Sequence, residues 1–461
     1  MRQDRDLTEG SILKALFAIS LPIVGANILQ TIYNLTDTFW VGRLGENAVA
    51  AVSLSFPIIF FLISLGIGFS VAGSILVAQY KGRKDQKNID HVAGQTLLLM
   101  VIISAIITII GLVLSNPLLK LMGAAPDVLP MATSYLQITF AGLILLFAYF
   151  VFQALMRGVG DVKTPLYIVL GTVLLNLVLD PLFINGYGII PAFGVGGAAL
   201  ATIGTQGIGA IIGLFMLFSG NYNIRLKLRE MKPDFDMIKK MFKLGFPASL
   251  DQSTRALGLT AMIFLVATFG TTIVASYGIG GRILSFVIIP AVGFSIATST
   301  IVGQNIGAGK KDRAEKTARM SSIISFVTLT VIGALIFIFS KQLVAVFIPG
   351  NAEIISIGSK FLRIMSLSFG FMGLQLSISG TFRGVGKTTA ALMLSIISFW
   401  ILRFPVAYFL SKVSSLSYNG LWWAFPISNV LAGSIAIIWL WKSDWKHKKL
   451  IEHDKPMMLE E

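Results

Sequence analysis

Residues 19–45 read ISLPIVGANILQTIYNLTDTFWVGRLG. The run is long enough to cross a hydrocarbon core of roughly 30 Å, for which about twenty mainly apolar residues suffice. Similar runs recur along the chain, at roughly 15–40, 47–79, 92–115, 130–155, 163–184, 195–218, 239–267, 272–304, 317–340, 354–382, 388–411 and 421–441. Working outward from the first run, the sequence therefore predicts an all-α integral membrane protein with twelve spans. Composition agrees. Hydrophobic residues make up 55% and charged residues 13%, against about 25% charged in soluble domains, and mean hydropathy is +0.80. Little chain is left for a soluble domain among the 461 residues. The opening MRQDRDLTEG is polar and the first apolar run is too long for an h-region, so it reads as a retained span and not a cleavable signal.

Composition also excludes chemistry. Cysteine is absent, which removes disulfides, zinc clusters and thiol catalysis. The three histidines, His91, His447 and His453, fall near charged loops or in the tail, which argues against a haem or metalloenzyme. No nucleophile–base pair stands out, so an enzyme is not expected. RGVGDVKTP at 157–165 lacks the G-x-x-x-x-G-K-[ST] spacing of a phosphate loop. No cofactor is expected.

The net charge of +15 is explained by where the bases lie. Of the 37 Lys and Arg, 28 fall in alternate connections, from Arg2–Lys14 through the Arg225–Lys243 stretch to Lys442–Lys455. The opposite connections hold only Arg43, Lys120, Lys341, Lys360, Arg363 and Lys412. The bias predicts a cell-membrane protein with both termini cytoplasmic. It also makes a nucleic-acid partner unnecessary.

The chain repeats itself in parallel. Pro22 matches Pro247 at an offset of 225, GFS at 68–70 matches 293–295, and VAQYKG at 77–82 matches VGQNIG at 302–307. RGVG at 157–160 returns at 383–386. Two six-span bundles related by an axis along the membrane normal follow, an arrangement suited to alternating access. The expected division is 1–218, a linker at 219–238 containing Pro233, 239–442, and a tail at 443–461.

Charges inside spans cost roughly 2.5–3.5 kcal/mol each on insertion scales and call for a reason. Asp37 in the first span and Asp180 in the fifth reach similar depth in the outer half of the membrane. Gln30, Tyr33, Asn34 and Asp37 share one helical face, and Asn176 sits one turn before Asp180. Carboxylates with amide and phenol neighbours suit a proton or a hard cation such as Na⁺. The plainer alternative makes Asp37 a span-end residue beside the interfacial Trp40, and Asp180 a cap before Pro181. In the second half Asp37 corresponds to Met262, and Asp180 to Phe404 after a two-residue gap, so the acid pair belongs to the first half alone. The second half carries Asp251 and Arg255 at i, i+4, read as an internal ion pair in preference to a substrate site. Partners for Arg282 and Arg403 are not assignable from sequence. Glycines such as Gly66, Gly68 and Gly73 fit close helix packing.

ISLPIVGANILQTIYNLTDTFWVGRLG, RGVGDVKTP, NLVLDPLFI at 176–184 and GVGGAALAT at 194–202 occur in order. Together they resemble the multidrug and toxic compound extrusion (MATE) family, over nearly the whole chain. The resemblance implies a V-shaped pair of six-helix lobes that exports organic, often cationic or amphipathic, compounds against inward Na⁺ or H⁺. It implies a cation site, a Na⁺ candidate, at Asp37, Asn176, Asp180 and Thr202, with the Ala198 backbone as a further ligand. It implies a first-lobe cavity lined by Gln30, Tyr33 and Tyr135, which Asn34 and Gln153 join as candidate lining residues, and a hinge at Pro22. Relatives with an acid in the seventh span would place it at Arg255, a departure that speaks against a second-lobe cation site. The resulting expectation is a monomeric antiporter in contact with membrane lipid. A lipid or polysaccharide-precursor flippase of the same superfamily is the nearest rival, followed by a passive channel.

Overall fold

The computed structural model describes residues 6–447 and 450–451. Arg2, Arg5, His453 and most of the basic tail therefore lie outside the described residues.

The chain forms α1 (Ile12–Gly42), α2 (Glu46–Gly82), α3 (Gln86–Leu121), α4 (Leu129–Ala141), α5 (Leu143–Val159), α6 (Lys163–Asn185) and α7 (Val195–Ser219). After a short 3₁₀ turn come α8 (Phe235–Ala267), α9 (Thr271–Gly307), α10 (Lys311–Phe347), α11 (Ala352–Ser366) and α12 (Phe369–Gly384). Next, α13 (Thr388–Ile396) and α14 (Phe404–Tyr408) alternate with π-helical turns at Ile397–Arg403 and Phe409–Val413, and α15 (Tyr418–Lys442) closes the fold. Several helices start on side-chain caps that satisfy otherwise unpaired backbone N–H groups: Asp85 accepts from Asn88 N, and Asn351 from Ile354 N.

Two expected spans differ from straight helices. The fourth is α4 plus α5, bent by 51° at Gly142, and the tenth is α11 plus α12, also bent by 51°. Hydropathy reads continuously through both breaks, because Gly142 in one and Ser366 and Ser368 at the other are too small and too weakly polar to interrupt an apolar run. Among the described residues nine helical stretches are long and apolar enough to cross a membrane, with Thr388–Val413 counted as one, or eleven with each bent pair as one span. The remaining expected span, α8, falls short because Asp251, Gln252 and Arg255 interrupt its apolar run. It also begins at Phe235 and not at 239, and its first turns join the first half's core through Met237, Met241 and Leu244.

Apolar side chains cover the outside, including Val113, Phe215 and Phe264, each more than two-thirds exposed. Such a surface is stable against lipid and not against water. Inside the second half, Phe361 packs on Trp422 with ring centroids 4.3 Å apart.

The halves meet tightly near the face that carries the basic connections, called the basic face below. A Cβ built on Gly82 would stand 1.8 Å from the Gln304 carbonyl oxygen, and one on Gly307 the same distance from that of Gln79. Only glycine permits this approach, and the two contacts exchange under the repeat.

Candidate functional site

Asp180 lies in the last two turns of α6 and is fully buried, as is Asn176 one turn earlier. The helix continues through Pro181 to Asn185, so Asp180 is not a terminal cap. Asn176 Nδ2 donates to Asp180 Oδ1 at 2.8 Å. This bond consumes one oxygen of Asp180 and leaves two acceptors, Asp180 Oδ2 and Asn176 Oδ1, buried without a partner among the described residues.

Asp37 stands on the neighbouring α1, which runs on to Gly42. It too is not a helix end, and its Oδ1 is buried with no partner among the described residues. Asp37 and Asp180 lie within electrostatic range of each other and of the Tyr33 and Tyr135 hydroxyls. The Tyr33 hydroxyl pairs with Thr205 Oγ1 at 3.0 Å and lies beside Thr202. Asp37, Tyr33, Tyr135, Asn176, Asp180 and Thr202 are thus brought to one place. Three unsatisfied oxygens at two carboxylates and an amide form an acceptor set, which fits a proton or a cation with oxygen ligands.

The other predicted residues are less engaged. Ala198 is buried in α7 one turn before Thr202. The side chains of Gln30, Asn34 and Gln153 make no hydrogen bond among the described residues, and Asn34 is exposed. Thr205 was not expected. Its only signal was its place one turn beyond Thr202. Helix α1 passes through Pro22 without a break.

A second polar system crosses the other half. Arg255 Nε donates to Asp251 Oδ1 at 3.1 Å, and Arg383 and Ser395 also bond the same buried carboxylate. The expected ion pair forms, but with two partners from α12 and α13 that helical spacing could not reveal. Arg403 is buried between the rings of Phe399 and Phe425, at 4.5 and 4.7 Å, and bonds Ser428 and Asn429. Arg282 is exposed.

The MatE family model matches residues 22–182 and 247–409, one stretch in each half. The chain belongs to the MatE family. Relatives agree over almost the full length. The probable multidrug resistance protein YoeA of Bacillus subtilis (strain 168) is 30% identical, across 95% of this chain and 96% of its own. The probable multidrug resistance protein YpnP of the same strain is 31% identical, across 96% and 98%. A solved structure described as the outward-facing conformation of a multidrug resistance MATE family transporter of the MOP superfamily superposes with a TM-score of 0.90. It is 28% identical, covering 95% of this chain and 97% of that one. As a MatE-family protein the chain is a multi-pass membrane transporter, not an enzyme, with the family's twelve-helix fold.

Proposed function

We propose that this MatE-family protein exports small organic compounds in exchange for Na⁺ or H⁺, with Asp37 and Asp180 as the coupling acids. The observation that carries the reading is the set of unpartnered oxygens, Asp37 Oδ1, Asp180 Oδ2 and Asn176 Oδ1, buried at one site in the first half. The repeat equivalents of the two acids, Met262 and Phe404, carry no carboxylate to titrate or to hold a hard cation. The printed names of the relatives, multidrug resistance proteins, support organic solutes as cargo. They give no support to a flippase.

In this reading the basic face is cytoplasmic, so the tight contacts at Gly82 and Gly307 close the halves on the inner side. Thr202 and the Ala198 backbone complete the cation's surroundings, and Tyr33 carries its presence to α7 through Thr205. Cation binding favours one arrangement of α1 against α6, and release on the other side favours another, as differential affinity requires. Proline removes one helical hydrogen bond, so α1 bends at least cost near Pro22.

Dye efflux from proteoliposomes under separately imposed Na⁺ and pH gradients tests the proposal. Efflux should follow at least one gradient. Turnover that ignores both, or none under either, would overturn antiport.

A further inference from the structure

The two RGVG sequences converge. Arg157 from the first and Arg383 from the second line a single cavity of about 140 Å³ between the halves, with Gln252 and Arg255 of α8 on its wall. The backbone of the same motifs is held across the interface, because Gln304 Nε2 donates to the Gly158 carbonyl and Gln79 Nε2 to that of Gly384, both at 3.0 Å.

Charge at this cavity does not balance. Arg255 and Arg383 share one carboxylate, Asp251. At the repeat offset of 225, Asp251 corresponds to Ala26, so the duplication keeps the arginine in both halves and the acid in one. Among the described residues the Arg157 side chain has no ion-pair or hydrogen-bond partner, and Arg255 Nη2 is buried without one. Asp161, near Arg157 in sequence, spends its oxygens on Lys163 and Thr164. Three guanidinium groups thus face one carboxylate in a low-dielectric interface, where an uncompensated charge is expensive. Guanidinium forks match planar and tetrahedral oxyanions. The rest of the wall sets hydroxyls, at Ser74, Ser295, Ser299 and Thr300, among aliphatic side chains, with Ile67 and Val71 of α2 on one side and Val292 and Ile296 of α9 on the other.

We infer that this inter-half cavity is an anion site that takes the carboxylate or phosphate head of an amphipathic organic anion. The volume suits a head group, with the apolar body lying along the aliphatic walls. The inference adds a substrate class to the export reading, on which it rests for its consequence. Its measurement is binding, which needs no gradient.

The test is calorimetric titration of phenyl phosphate into the purified full chain in phosphatidylcholine nanodiscs, with phenol as the uncharged control. Saturable binding of phenyl phosphate but not phenol is expected, unaffected by the cation tetraphenylphosphonium. Arg157→Gln should weaken it about tenfold, the usual effect of losing a charged hydrogen bond, while Arg157→Lys keeps most of it. A second arm mixes phosphatidic acid into the nanodisc. Competition there assigns the same chemistry to a lipid head group, and its absence assigns it to a free solute. No binding of either anion to the wild type, or phenyl phosphate binding that persists in both Arg157→Gln and Arg255→Gln, overturns the inference. A chain that binds phenyl phosphate but shows no ion-driven efflux keeps the inference and sinks the export reading.

Discussion

Gln79 and Gln304 hold equivalent places in the repeat, and each donates its side-chain amide to a glycine carbonyl of the opposite half's RGVG motif, at 3.0 Å in both cases. Both are almost fully buried. Removing one leaves a buried carbonyl without its donor, a loss of about 1–3 kcal/mol. Gln79→Ala combined with Gln304→Ala should therefore shift the population toward states open at the basic face. The natural absence of cysteine makes this measurable. A single cysteine at Ser74, on the inter-half cavity wall, should react several-fold faster with an impermeant thiol reagent added from the basic face. Unchanged labelling would rule out a latch.

The buried pair Asn176–Asp180 sets a second expectation. Asp180→Asn and Asp37→Asn are nearly isosteric but cannot carry the charge that exchanges with a coupling ion. Each should lower gradient-driven efflux by at least about tenfold, the effect of losing one charged contact. Chromatographic behaviour and melting should stay near wild type, since the amide refills the same volume. Full gradient-driven export in both variants would show that the coupling lies elsewhere.

Topology was legible in the sequence because a bilayer allows few alternatives. Apolar runs, alternating bases and the matched Pro22 and Pro247 give helices, alternation and duplication. Legibility ended where contacts are long-range. Beyond Arg255, the partners of Asp251 are 132 and 144 residues away, at Arg383 and Ser395, and no helical period links them. The bends at Gly142 and between α11 and α12 leave hydropathy untouched. Asp37 and Asp180 were readable as costly charges, yet the unpartnered state of their oxygens required packing to be seen. The RGVG arginines were visible as a repeat, but not as neighbours across one cavity.

Asp251 supports a third expectation. Breaking a buried pair by removing one partner costs about 3–5 kcal/mol, because the remaining charge stays buried. Asp251→Ala leaves Arg255 and Arg383 uncompensated, so its melting temperature in detergent should fall clearly below wild type. Asp251→Asn retains the hydrogen-bond acceptor toward Ser395 and should fall less. Equal melting of all three proteins would show that the network contributes no stability.

The last expectation concerns pH at the junction of the two halves. Asp234 caps α8, and its Oδ1 accepts from Asp236 N and Met237 N, both at 3.1 Å. Its Oδ2 accepts from the His91 imidazole of α3 at 2.9 Å, and its own N–H donates to Gln95 Oε1 at 3.0 Å. The His91 bond, followed by the Met237 N–H, holds the Asp234 carboxyl below its ordinary value of 3.8. A depressed carboxyl stabilises the fold above its unfolded value, and that contribution disappears as pH falls through the folded one. Hydrogen exchange at the start of α8, corrected for its intrinsic pH dependence, should therefore be flat from neutrality down to about pH 4 and rise in more acid solution. Asp234→Ala should raise exchange there several-fold at neutral pH, the consequence of a lost cap worth about 1 kcal/mol, and should flatten the acid rise. An acid rise of undiminished size in that variant would assign it to another group.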